Sequence, residues 1–328
     1  MQSGQLIRLV PDDDLGVWIS AFLDDCRLAN LSPKTLRFYE TNLGRFRWWC
    51  ETTGAPLRPE ALTPADIRQF LRYVQEMEGR WGNPDHPMAR KPTKDSTQHA
   101  YFRCLRRWFN WLVEQEVIAR SPMDKLRAPR VRQEQPDPFS QDELERLATA
   151  LREAGDGMLA DRNRAIVAVL LDVGLRAAEL AAIQVAHLSI ATGDLYVDAG
   201  KGNKPRRLRL GARARRQVRR YWLRHRATLG TEGAFFLADD YEPLTAGGVH
   251  FITTRLGERA GVFPCNPHRF RHTFAVNAIR AGMGLLQLQQ MLGHTDLTMV
   301  RRYVKLAEGD IADAAQNHSP FDHMRLGL

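Results

Sequence analysis

Three short stretches concentrate arginine, histidine and tyrosine. Gly174 to Leu180 reads GLRAAEL, His268 to Ala275 reads HRFRHTFA, and Leu292 to Tyr303 reads LGHTDLTMVRRY. A guanidinium stays charged at any relevant pH and grips two oxygens in parallel, which suits an anionic centre whose negative charge grows during reaction. A tyrosine, with a reference pKa of about 10, becomes a nucleophile only when something accepts its proton. Taken singly, these residues have ordinary readings. Arg176 with Glu179 is a helix-surface pair, a lone histidine is a structural hydrogen-bonder, and a lone tyrosine is a core residue. Their joint occurrence reverses these ordinary readings.

These residues need a scaffold, and the chain predicts two helical domains. At 328 residues it exceeds the usual size of one hydrophobic core. A first helix runs near Leu15 to Ala29. A second starts with Ser32 as N-cap and Pro33 in its first turn, and Thr63 with Pro64 announces a third. The third ends before a Pro/Gly-bearing loop from Gly79 to Pro92, and a fourth spans roughly Ser96 to Ile118. In the fourth, Phe102, Leu105, Trp108, Phe109 and Trp111 have core spacing, while the interleaved Arg103, Arg106 and Arg107 are the candidates for DNA contact.

The proline-bearing stretch 127–138 reads as a linker between a domain at 1–126 and another at 139–328. Ser140 and Glu143 form a capping box, and a strongly apolar helix follows around Ile166 to Leu171. Leu195 to Val197 and Arg207 to Leu210 read as two short strands joined by a turn at 200–203. Helical patterns return from Ala212, so the second domain is mostly helical with a small antiparallel sheet.

The three clusters, taken together, resemble the tyrosine recombinase (phage integrase) family, and the branch they look most like is that of Xer-type and mobile-element integrases. The resemblance carries Arg176, Lys201, His268, Arg271, His294 and Tyr303 onto the family's catalytic positions, with His294 nine residues before Tyr303. It implies His268 as general base, Lys201 as the acid for the departing 5′ oxygen, and His294 as a hydrogen-bond donor to the phosphate. Glu179 and His272 would orient these groups. The implied fold is mainly α: a four-helix, SAM-like core-binding domain and a mostly helical catalytic domain, closing as a C-shaped clamp on DNA. The implied activity is site-specific cleavage and rejoining through a 3′-phosphotyrosyl link, without ATP, metal or cofactor. A type IB topoisomerase and a DNA-binding protein that has lost catalysis are the competing readings.

Charge agrees with a nucleic-acid partner. The formal net charge is +9, and between Gly200 and Arg226 there are twelve Lys or Arg and no Asp or Glu. Lys204, Arg206 and Arg207 are candidate DNA contacts. Arg213, Arg215, Arg216, Arg219 and Arg220 face either phosphates or open solvent, and Arg301 and Arg302 line either DNA or a carboxylate. The implied partners are double-stranded recombination sites, three further copies in a tetramer on paired sites, and a second recombinase or accessory protein. The segment after Tyr303, particularly Asp310 to Ala315, either docks on a neighbouring copy or folds back. The four cysteines are scattered, with no zinc spacing and no disulfide framework. With no long apolar run and no signal-peptide pattern, the expected location is the cytoplasm, at the nucleoid of a prokaryote.

Overall fold

Polar side chains set the starts of the helices in the N-terminal unit. The computed structural model describes residues 14–76, 93–129, 137–198, 205–293 and 303. The chain divides into two compact units, Met1–Glu134 and Gln135–Leu328. In the first, the Asp14 carboxylate caps α1 (Leu15–Leu28) by accepting from the Gly16 N–H at 3.0 Å. Ser32 accepts from the Thr35 N–H at 3.2 Å at the start of α2 (Pro33–Thr53), whose first position is the predicted proline. The unit continues with α3 (Pro64–Glu76) and α4 (Asp95–Glu114). The last ends earlier than its periodicity suggests, because Glu116 takes a φ of 58° that a right-handed helix cannot continue through.

On α4 the residue types separate by face. Phe102, Leu105, Trp108, Phe109 and Trp111 are buried, while Arg103, Arg106 and Arg107 are exposed. The aromatic stripe is core. Phe46 meets Phe70 edge-on at 4.9 Å, and Trp111 satisfies its indole N–H on Asp25 at 2.7 Å. Arg107 is paired with Glu114 at 3.2 Å.

The second unit opens as its sequence predicts. Ser140 accepts from the Glu143 N–H at 3.1 Å and Glu143 accepts from the Ser140 N–H at 2.9 Å, starting α5 (Gln141–Glu153). The apolar helix α6 (Met158–Val173) lies at the centre of the core, with Ala165, Ile166, Val169, Leu170 and Val173 all buried. A short α7 (Ala177–Ala181) follows. Next come β1 (Asp194–Val197) and β2 (Arg206–Arg209), antiparallel, with Val197 opposite Arg206 and Asp194 opposite Arg209.

Then come α8 (Ala212–Arg224), α9 (Ala246–Ala260), α10 (Pro267–Arg280) and α11 (Leu285–Leu292). Polar ties fix α8 antiparallel to α6. The Gly211 N–H donates to Asp172 at 2.7 Å at one end, and the buried Asp161 pairs with Arg220 at 2.8 Å and Arg224 at 3.3 Å at the other.

The hairpin turn with Lys201 and Lys204 lies outside the described residues. So do His294, Arg301, Arg302, the segment after Tyr303, the loop from Gly79 to Pro92, and most of the expected linker. Among the described residues, no helix is long and apolar enough to cross a membrane. All four cysteines are buried and unbridged.

Candidate active site

Gly174 ends α6 with a φ of 62°, a left-handed turn, and a Cβ there would lie 2.4 Å from the Phe274 ring. Glycine is required on both counts. The turn delivers Arg176 to the start of α7, one helical turn before Glu179. The Glu179 carboxylate accepts from the Arg176 backbone N–H at 2.9 Å and from its guanidinium at 2.9 Å.

Arg206, on β2, binds the same carboxylate through Nη1 at 3.1 Å and Nη2 at 2.9 Å, and donates from Nε to the Met291 carbonyl at 2.7 Å. Gly293 permits this approach, since a Cβ there would lie 2.9 Å from the Arg206 Nη1. Arg271 Nη1 stands 3.9 Å from Glu179 Oε2. One buried carboxylate therefore gathers three guanidinium groups, and among these four side chains positive charges outnumber negative three to one. Burial pushes the Glu179 carboxyl up, but the bonds from Arg206 and the Arg176 N–H, with the Arg206 and Arg271 charges, hold it below its ordinary range.

The His-x-x-Arg spacing becomes a single helix face on α10. The Asn266 side chain caps the helix by accepting from the Arg269 N–H at 3.0 Å, and Pro267 occupies the first turn. His268 and Arg271 then stand one turn apart, with His272 beside them. Arg271 is 2% exposed and donates to the Gly174 carbonyl at 2.8 Å and the Leu292 carbonyl at 2.6 Å. It thus ties the end of α6 to the end of α11. Burial and the neighbouring Arg176 push its guanidinium down to about 10, still charged at neutral pH. His268 is exposed on the first turn, and its pKa is lowered by desolvation and by Arg271 and Arg176.

Tyr303 packs with Phe274, Ala275, Val276, Leu288 and Leu292 at 2% exposure. Its ring centroid lies 5.2 Å from that of His272, tilted 47°. His272 is also 2% exposed, and among the described residues neither of its ring nitrogens has a hydrogen-bond partner. It was expected to orient its neighbours, and the contact it makes with Tyr303 is one of packing.

Burial lowers the His272 pKa, as does nearby His268, with Arg269 adding to the effect and Asp137 opposing it. The unfolded chain therefore takes up this proton more readily than the folded one. Stability is expected to fall as pH drops below the ordinary histidine value of 6.5. Urea midpoints measured from about pH 7.5 to about 5.5 check this, and His272→Phe, which keeps a ring against Tyr303, should flatten the slope. His268 contributes in the same direction but weakly, being exposed. Glu179 and Glu143, with ordinary values of 4.5 and folded values lower still, add their own loss only below this window.

One arginine differs from its expected place. Arg206, expected at the DNA surface, is turned inward, because strand alternation puts it on the same face as buried Leu208 and Glu179 supplies its counter-charge. Arg269, which sequence reading passed over, clamps the start of the unit. It bonds Glu143 at 2.7 Å and the Asp137 carbonyl at 2.9 Å, and stacks over Phe139 at 4.2 Å. Arg207 remains exposed on β2. Among the described residues no group of acidic, histidine or cysteine side chains could hold a metal ion.

A model described as the phage integrase family matches residues 138–309, and one described as a phage integrase N-terminal SAM-like domain matches 18–119. The chain is 29% identical over 308 residues to tyrosine recombinase XerD of Shewanella oneidensis, covering 92% of this chain and 96% of that one. It is 28% identical over 312 residues to tyrosine recombinase XerC of Halalkalibacterium halodurans, covering 92% and 97%. Among solved structures, it is similar to the Tn1549 transposon integrase in complex with a circular intermediate DNA, with a TM-score of 0.69, 18% identity, and coverage of 93% of this chain and 100% of that one. A lambda integrase dimer bound to a COC′ core site gives 0.68 at 17% identity, with coverage of 88% and 77%. At these identities the structural likeness is one of fold.

Proposed function

Because the chain belongs to the phage integrase family of tyrosine recombinases, we propose that it breaks and rejoins DNA at specific sites through a covalent bond to Tyr303. The observation that carries this is the convergence on Glu179: one carboxylate holds Arg176 and Arg206 and faces Arg271, while Tyr303 packs on His272, the residue next to Arg271. Arg176, whose side chain is 38% exposed, receives the scissile phosphate from solvent, and Arg271 fixes the positive floor beneath it.

In the cleavage step, Tyr303 Oη forms a bond to phosphorus and the bond from phosphorus to the 5′ oxygen breaks. The phenolic proton passes to His268, whose pKa is lowered first by desolvation and then by Arg271 and Arg176. Lys201 protonates the departing 5′ oxygen and His294 donates to a non-bridging oxygen. Negative charge gathering on the phosphate meets the Arg176 and Arg271 guanidinium groups. The product keeps the energy of the phosphodiester, so an incoming 5′ hydroxyl reverses the step and joins a new strand without ATP.

Residues 1–126 serve as a core-binding domain, through Arg103, Arg106 and Arg107, and residues 139–328 as the catalytic domain, with Lys204 and Arg207 on the DNA backbone. The protein works as a tetramer on two paired sites, its C-terminal segment reaching a neighbouring copy. A second recombinase or accessory protein completes some assemblies, and the setting is the cytoplasm of a prokaryote, at its nucleoid. The test is a plasmid carrying two copies of a site from the gene's own neighbourhood. Recombinant circles are expected, and relaxation of plasmids lacking the site, without recombinants, would contradict the proposal.

A further inference from the structure

Most arginines on the face that includes α8 are held by acceptors of their own chain. Arg164, Arg220 and Arg224 converge on Asp161, Arg209 is paired with Asp194 at 2.7 Å, and Arg215 donates to the carbonyls of Ala191 and Thr192 at 3.3 and 3.4 Å. Arg213, Arg216 and Arg219 differ. They are exposed and, among the described residues, make no hydrogen bond or ion pair. Their spacing forms one ridge of the helix, about 9 Å from first to last at ~1.5 Å per residue. Ala214, Val218 and Tyr221 are buried on the opposite side, so the ridge points outward.

The ridge is unfavourable for the helix by itself. α8 contains no acidic residue, and its first turn carries Arg213 at the positive pole of the helix dipole. Arg213 with Arg216, and Arg216 with Arg219, are like-charge neighbours. A row of anions turns each of these terms favourable. Position adds to the argument, because α8 begins beside Asp172, at the end of α6 that leads into Arg176, and runs away from the arginine site.

We infer that the Arg213, Arg216 and Arg219 ridge is a second phosphate track, gripping the backbone of duplex DNA beyond the segment held at Arg176 and Arg271. The inference rests on the DNA reading proposed above. One strand of a duplex presents a phosphate every ~3.4 Å along the axis, so the ridge spans two or three of them. Backbone contacts of this kind position DNA without reading its sequence.

The test compares the wild-type protein with the triple variant Arg213→Gln, Arg216→Gln, Arg219→Gln on two duplexes across a salt series. One duplex holds only the cleavage site, and the other extends it on both sides. At ~0.9 in slope per phosphate, the variant should lose about 1.8–2.7 from its salt slope on the longer duplex and little on the shorter. Between 50 and 200 mM salt, the wild type then loses roughly 10- to 40-fold more affinity for the longer duplex than the variant does. A melting temperature no lower than that of the wild type establishes that the variant is folded.

Equal slopes for the two proteins on the longer duplex, with covalent adduct still formed by the wild type, overturn the track and spare the recombinase reading. A slope reduced equally on both duplexes places the ridge on the cleavage segment and also overturns it. Failure of the wild type to bind either duplex or form adduct overturns both.

Discussion

Replacing Tyr303 by phenylalanine yields a protein that folds and binds DNA but forms no covalent adduct and exchanges no strands. Phenylalanine keeps the ring that packs on His272, Phe274 and Leu292, so thermal stability should stay within about 1 kcal/mol of the wild type. The reaction loses its nucleophile outright. Strand-exchange rates are expected to fall by at least about 10³-fold, with the DNA dissociation constant changed less than about threefold. Separating the two readouts matters, because a merely structural tyrosine would move stability and leave residual cleavage.

Arg271→Ala is expected to damage fold and chemistry together. It removes the donor that satisfies the Gly174 and Leu292 carbonyls and takes a positive charge from beside Glu179. Leaving two buried carbonyls without donors should lower unfolding free energy by about 2–5 kcal/mol. The missing guanidinium should slow adduct formation by about 10²–10³-fold among the molecules that remain folded. Arg176→Ala separates the two effects. That side chain is 38% exposed, so the same loss of rate should come with less than about 1 kcal/mol of destabilisation. Urea denaturation with single-turnover cleavage measures both. A stable Arg271→Ala protein with near-normal cleavage would remove this residue from the site.

Much of this is written in local patterns. Ser32 with Pro33 and Ser140 with Glu143 place their helices because each side chain satisfies a backbone N–H within three residues. The His-x-x-Arg spacing likewise becomes one face of α10. What was hard to read depends on partners far along the chain. Arg269 finds Glu143 across 126 residues and Arg206 finds Glu179 across 27, and nothing adjacent to either announces the carboxylate. Arg206 did carry a signal in its alternation with Leu208, which places an arginine on the covered side of the strand and so demands a counter-charge. The burial of Tyr303 against His272 has no such local cue, since it arises where α10 and α11 pack together.

The central claim is that Tyr303 becomes bonded to DNA. Wild-type protein is incubated with a nicked duplex from the gene's own neighbourhood, so that the cleaved strand diffuses away and the intermediate persists. The trapped complex is denatured and digested, and the DNA-linked peptide is sequenced by mass spectrometry. A nucleotide mass on Tyr303, absent from the Tyr303→Phe protein, is the predicted result; an adduct on another residue, or one that survives in Tyr303→Phe, would contradict the account.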